Sequence, residues 1–158
     1  MNRSAGRLVP LAVATIALLA LAGCGGGESE DSSMVAFVEV SGDDYSFDAP
    51  DTIAGGPTTV RFTNEGEEDH ELHLVRLNDG VAIHQFQQAL HQDGLDEALR
   101  LGSTVGHLAT IGPGQMADAS LDLPEGEYAL LCQVMSPDDS VAHALKGMVK
   151  PLTVTAGR

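Results

Sequence analysis

Between Val35 and Thr155 the chain is cut by Gly and Pro into short segments whose apolar residues recur at every second position. The clearest is Ala117, Ala119, Leu121 and Leu123 alternating with Asp118, Ser120 and Asp122. A period of two puts the apolar residues on one face of a strand. Many such half-apolar strands can be buried together only by stacking sheets or closing one on itself. The same reading gives strands at Val35–Ser41, around Tyr45 and Phe47, and at Thr58–Asn64, where Val60 and Phe62 share a face. Further strands fall at residues 70–77, Glu127–Cys132 and Met148–Thr155. Turns are expected at Gly42-Asp43-Asp44, Gly55-Gly56-Pro57, Asn78-Asp79-Gly80 and Pro124-Glu125-Gly126. Trp is absent and only 4 Phe and 2 Tyr are present, so the core must be aliphatic.

One interval breaks this pattern. Across about 81–101, Ile83, Phe86, Ala89 and Leu90, then Leu95, Ala98 and Leu99, recur at helical spacing on either side of Asp93-Gly94. A short helical insert, as two helices or one broken one, is expected in an otherwise all-β domain. His84 and His91 fall on that insert, and His107 reads as part of a Gly-flanked loop.

The first 23 residues read as an export signal: Arg3 and Arg7 precede an apolar run from Leu8 to Ala22 that is too short to span a bilayer comfortably. It ends in Leu21-Ala22-Gly23-Cys24, which looks like a bacterial lipobox with Cys24 as the lipidated residue. Residues 24–33 form a Gly/Ser/acidic tether with nothing to bury; about nine flexible residues reach roughly 15–18 Å. The domain is then expected at 34–158. The expected location is the outer side of a bacterial membrane, held by lipid. With 8 Lys+Arg against 23 Asp+Glu and a formal charge of −15, the chain is a poor match for nucleic acid or an anionic membrane surface, and its charge suits either simple solvation or a basic protein partner.

If Cys24 carries lipid, Cys132 is the one remaining thiol in an oxidising compartment, where burial or a metal must protect it. It opens the stretch CQVMSPDDSVAHALKGM, which also holds His143 and Met148. A thiolate, an imidazole and a thioether suit a soft transition metal, and two imidazoles, a thiolate and a weak axial Met make a blue-copper site. The missing imidazole must come from FTNEGEEDHELHL. On a strand beginning at residue 70, His70 shares the apolar face with Leu72 and Leu74, while His73 lies beside Glu71 on the other. Met135 is a competing thioether, three residues after Cys132, that reads as a packing residue.

Several motifs occur in a telling order: Val60-Arg61-Phe62-Thr63-Asn64 with His70 after five intervening residues, then Pro124-Glu125-Gly126-Glu127-Tyr128 leading to Cys132, then His143-Ala144-Leu145-Lys146-Gly147-Met148 before a last strand. On these, residues 34–155 resemble the cupredoxins, the plastocyanin- and azurin-like blue-copper proteins. The resemblance implies a Greek-key antiparallel β-sandwich and a single type 1 copper site. It implies His70, Cys132 and His143 as equatorial ligands, Met148 as the axial one, and one-electron transfer with a redox protein partner as the role. The chain departs from the pattern in two places. Ten residues separate Cys132 from His143, closer to the loops of copper nitrite reductases than to those of small cupredoxins. Glu71 also stands where many relatives carry an Asn that ties the ligand loops together. Ala142, Ala144 and Leu145 are expected to form an apolar collar around an exposed His143 edge, the electron port. No Ser-His-Asp pattern, phosphate loop or HExxH motif points to an enzyme, and a monomer is expected. The rival readings are a metal-free cupredoxin-like binding module and a copper-delivery protein; scattered Met34, Met116 and Met135 argue against the second.

Overall fold

Alternation in the sequence becomes pairing across two sheets in the computed structural model, which describes residues 35–157. The export signal, Cys24 and the tether lie outside the described residues. In chain order the elements are β1 (Ala36–Asp43), β2 (Ser46–Asp48), β3 (Thr52–Ala54), β4 (Gly56–Asn64), β5 (His70–Leu77), α1 (Ile83–Gln92), α2 (Leu95–Leu99), β6 (Gly102–Ile111), β7 (Met116–Leu123) and β8 (Gly126–Leu131). A 3-10 turn (His143–Lys146) and β9 (Val149–Thr155) complete the domain.

One sheet has the order β2-β1-β4-β7 and the other β3-β9-β8-β5-β6. The sandwich is not wholly antiparallel as expected: β1 runs parallel to β4, and β3 parallel to β9. The cause is a crossing of the chain between sheets. After β2 it leaves the first sheet, pairs as β3 with β9 in the second, and returns as β4 in the direction of β1. Parallel neighbours require such a crossover.

The inward faces meet in an aliphatic core of Val38, Val40, Val60, Leu72, Leu74, Leu108, Leu123, Leu130, Leu152 and Val154, with Phe62 and Tyr128 as its only fully buried aromatic rings. The Tyr128 hydroxyl donates to the Pro124 carbonyl at 2.6 Å, so its burial leaves no polar atom unpaired. The helical insert lies over the outer face of the second sheet. Phe86 and Leu90 of α1 and Ala98 of α2 pack on Val75, Leu77, Ala129 and Leu131. Full burial of Phe86 and Leu90 is worth about 1.5–3 kcal/mol each. The second sheet therefore has a core on both faces, with β5 divided between them: Leu72 and Leu74 face inward, Val75 and Leu77 face the helices.

Two strands differ from the sequence reading. Thr52–Ala54 is a short edge strand, and the segment read as a Gly-flanked loop is β6, ten residues long and paired with β5. Its glycines are there for close approach and not for a turn. A Cβ on Gly102 would stand 2.6 Å from the Arg76 carbonyl oxygen, and one on Gly106 would stand 2.5 Å from Leu121 Cδ1. Because the Gly102 neighbour is backbone, it cannot yield cheaply. Gly102→Ala is therefore expected to lower unfolding free energy by about 1–3 kcal/mol, the range for overpacking, in urea denaturation, while Ser103→Ala at the exposed next position leaves it within about 0.5 kcal/mol.

Candidate metal centre

Three elements bring the candidate ligands to one end of the sandwich. His70 is the first residue of β5, Cys132 follows β8 directly, and β5 and β8 are hydrogen-bonded neighbours. Both side chains point inward by the alternation that buries Leu72 and Leu130. The long loop after Cys132 is folded back by its own backbone: Ala144 N–H donates to the Cys132 carbonyl at 2.8 Å, His143 N–H to Val134 at 2.9 Å, and Met148 N–H to His143 at 2.9 Å. Gly147 ends the 3-10 turn in the left-handed region, φ 118°, a conformation that favours glycine. The extra residues form a small side hairpin, with Met135 bridged to Ala142.

The result is a dry cluster. His70, Cys132, His143 and Met148 are all fully buried. The two imidazoles face each other through Nδ1, 3.0 Å apart, and Cys132 Sγ lies 3.5 Å from His143 Nδ1 and 4.0 Å from His70 Nδ1. Behind each ring stands a carboxylate: Asp44 Oδ1 is 3.1 Å from His70 Nε2, and Glu68 Oε2 is 2.9 Å from His143 Nε2. A carboxylate can only accept, so both Nε2 atoms carry a proton, and in neutral rings both Nδ1 atoms turn a lone pair toward the centre. Carboxylate-backed imidazoles are the usual arrangement behind metal-bound histidine.

The backing groups come from two short segments. Asp44 and Tyr45 are the two central residues of the hairpin turn between β1 and β2, and Tyr45 has φ 67°, a strained conformation for a bulky residue. Asp44 also accepts the backbone N–H groups of Glu67 and Glu68. Burial works to raise Asp44, but those donors and His70 outweigh it and hold it below the usual carboxylate range. Tyr45 places its ring edge-on to His143, centroids 5.2 Å apart, and its hydroxyl donates to Glu68. That bond, ahead of those from His143 and Ser136, keeps Glu68 low as well. Lys146 completes the cap, 2.8 Å from the Tyr45 hydroxyl and 3.0 Å from Ser136 Oγ.

Asn64, fully buried at the end of β4, fastens the acidic loop between β4 and β5. Its amide donates to the carbonyls of Glu68 and Ile111 at 2.8 and 2.9 Å, and its oxygen accepts Gly66 N–H at 2.9 Å. A side chain on Gly66 would collide with Asp44 and stand 2.7 Å from His70 Nε2, so only glycine lets the loop close here. Asn64 thus ties the loops together from another position, while Glu71 contributes its backbone N–H to Cys132 Sγ at 3.5 Å. The Asn–x₅–His spacing marked Asn64 as part of the motif but not its role as the tie; the parts played by Asp44, Tyr45 and Glu68 had no spacing that marked them.

Two expectations are corrected. The His143 edge is not an exposed port: the ring is fully buried and its outward nitrogen meets Glu68 beneath Tyr45. Met135 does not pack; it is 55% exposed. His84 and His91 are exposed on α1, and His73 faces away from the cluster toward Glu71. Gly42 leaves room for Met148: a Cβ there would stand 3.0 Å from the Met148 methyl.

No protein-family model matches the chain, and no curated protein matches it by sequence. Among solved structures, Na-dithionite-reduced auracyanin from the photosynthetic bacterium Roseiflexus castenholzii is similar, with a TM-score of 0.50 and 22% identity over 76% of this chain and 97% of that one. Auracyanin A, described as a "blue" copper protein from Chloroflexus aurantiacus, gives a TM-score of 0.49 and 19% identity over 76% and 98%. An azurin from Methylomonas sp. strain J gives 0.46 and 16% over 78% and 98%. The fold is the cupredoxin-like sandwich.

Burial pushes the Cys132 thiol up to about 11, against opposing hydrogen bonds from the backbone at Glu71 and Val134. Burial also pushes the His70 imidazole below its ordinary value. The metal-free fold thus holds a neutral thiol that the unfolded chain ionises from about 8.5–9. A folded value above the unfolded one means stability is complete below that window and is lost as pH rises through it to about 11. The loss is expected to be of order 2 kcal/mol, read as the difference between wild type and Cys132→Ser in urea denaturation at pH 8 and pH 10.5.

Proposed function

We propose that the protein is a membrane-anchored type 1 copper protein that carries single electrons. The observation that carries this reading is the approach of two Nδ1 atoms to 3.0 Å beside a buried thiol, with both Nε2 atoms turned to carboxylates. Two lone pairs at that separation repel unless a proton or a cation lies between them, and water has no access. Two imidazoles and a thiol with a buried thioether nearby form the donor set of a soft, redox-active ion, and the His₂Cys set with weak axial Met is that of blue copper. In this reading His70, Cys132 and His143 would hold the copper and Met148 would be its weaker fourth donor. Copper bound there supplies a Cu(II)/Cu(I) couple.

The chain's own residues supply the rest. Asp44 and Glu68 fix both imidazoles in the Nε2–H tautomer and so aim both lone pairs before any ligand arrives. The Glu71 backbone N–H lies against the sulfur and stabilises negative charge on it. The bonds from Asn64 and from the Cys132–Met148 backbone keep the loops in one geometry whichever charge the centre bears. Electrons then pass at the surface formed by Glu68, Tyr45 and Lys146, the groups that stand between His143 and solvent. The acidic surface suits a basic redox partner. A lipid on Cys24 keeps the carrier on the outer side of the membrane while the tether lets it sample partners.

The decisive experiment is copper(II) loading at neutral pH with Cys132 reduced. An intense visible charge-transfer band is expected, lost in Cys132→Ser, and copper is expected to be lost in His70→Ala but retained in His73→Ala. Colourless protein that gains no stability from copper would mean a metal-free module on the same fold. A saturating excess of about 100 Kd should add about 2.7 kcal/mol.

Two further outcomes test the parts. Met148→Leu is expected to keep metal and colour and to raise the reduction potential in voltammetry, since a weak axial donor tunes the site more than it holds the ion. Cys24→Ala is expected to move the protein from the membrane to the soluble fraction; an unchanged membrane pool would remove the lipid anchor from this account.

A further inference from the structure

One residue beyond His70, on the opposite face of β5, a second set of donor atoms converges. The alternation that turns His70 and Leu72 inward turns Glu71 and His73 outward. His107 is the direct cross-strand partner of His73 in the β5–β6 ladder, and their rings stack with centroids 4.3 Å apart and planes 28° from parallel. Both rings direct Nε2 at the same carboxylate. His73 Nε2 lies 2.9 Å from Glu71 Oε1, and His107 Nε2 lies 3.5 Å from Glu71 Oε2. The Thr110 hydroxyl donates to Glu71 Oε2 at 3.2 Å and fixes the carboxylate from the side. One ligand atom from each of Glu71, His73 and His107 lies within 4.8 Å of the others.

The surroundings give the cluster a floor and an opening. Glu71 and His73 side chains are each only 15% exposed, whereas His107 is 46% exposed and lies on the solvent side. The helices cover this face of the sheet farther along β5, over Val75 and Leu77. Rigid strands supply all three donors, so no loop has to be ordered when a ligand arrives. A neutral imidazole can move its proton from Nε2 to Nδ1, which turns both Nε2 lone pairs toward the carboxylate without net loss of a proton. Two imidazole nitrogens and a carboxylate oxygen, with remaining positions open to water, are the donor set of an open zinc-type site.

We propose that Glu71, His73 and His107 form a second metal site, for a borderline divalent cation of the Zn(II) class, at the surface and separate from the buried thiol cluster. Both sites offer two imidazoles, but this one lacks sulfur, opens to solvent at His107 and carries a carboxylate as a direct ligand, so it takes the harder ion. Thr110 acts as the outer partner that orients the carboxylate.

The test is equilibrium dialysis of the full chain against Zn(II) alone, with metal content measured on wild type, His107→Ala, Glu71→Gln and Cys132→Ser. His107 is exposed enough that its truncation leaves the core intact. Wild type is expected to hold one zinc more than His107→Ala, and Cys132→Ser is expected to retain that His107-dependent zinc. Removing a direct ligand should weaken it by about a hundredfold or more, since outer partners alone account for 10–100-fold. Histidine ring NMR on wild type gives a second readout: zinc should shift the His73 and His107 signals and leave His84 unmoved. Equal zinc in wild type and His107→Ala, or zinc held by Cys132 only, overturns the proposal. The visible band of the buried centre depends on Cys132 and not on His107, so failure here leaves the copper reading intact, and the reverse holds as well.

Discussion

Two imidazole nitrogens 3.0 Å apart in a dry pocket, each with its other nitrogen hydrogen-bonded to a carboxylate, set the terms for this structure. Neither ring can rotate away without breaking a bond to Asp44 or Glu68. Neither can place its proton inward without giving that bond up. The arrangement fixes orientation and proton placement together, and Cys132 adds a thiol that burial keeps neutral against the backbone hydrogen bonds it receives. Pre-aimed donors of this kind lose little freedom when they bind, which is where much of a site's affinity arises.

Holding that arrangement requires three chain segments to arrive at one end of the sandwich, fastened by different devices. The β1–β2 turn puts Tyr45 in the left-handed region so that Asp44 and Tyr45 both reach the histidines. Asn64 uses both amide donors and its side-chain oxygen on the acidic loop and the end of β6. Gly66 leaves room for Asp44 and His70 to meet. The Cys132–Met148 loop closes on its own backbone, and its extra length is taken up by a side hairpin that leaves the His143–Met148 spacing undisturbed. The helical insert gives the second sheet a core on its outer face that reaches Ala144, next to His143, and stiffens β5 and β8, the strands that carry His70 and lead into Cys132.

The same stiffness serves the outer face of β5. Because alternation is rigid in a strand buried on one side, fixing His70 inward also fixes Glu71 and His73 outward, opposite His107. Through Glu71, whose amide faces the sulfur and whose carboxylate faces the two outer imidazoles, a single residue belongs to both donor clusters. The acidic ring of Asp44 and Glu68 favours the more positively charged state of whatever occupies the centre, since both carboxylates stay ionised.

The sequence alone determined what depends on period and local chemistry. The two-residue alternation announced β1, β4, β5, β7, β8 and β9, the helical spacing announced α1 and α2, and the parity of positions 70 and 73 separated an inward histidine from an outward one. Order and spacing of His70, Cys132, His143 and Met148 brought those four residues together as one candidate set. What only tertiary structure decided was contact between segments with no fixed separation in the chain. Gly102 and Gly106 read as loop because a glycine needed for close approach looks the same as one needed for a turn; the neighbour that excludes its side chain is on another strand. Asp44 and Glu68 looked like two more acids in an acidic chain, and nothing local said which carboxylates would face an imidazole. The burial of His143 beneath Tyr45, and the meeting of His73 with His107, follow from strand register and loop closure. Those are properties of the assembled sheets, which the local pattern of residues does not encode.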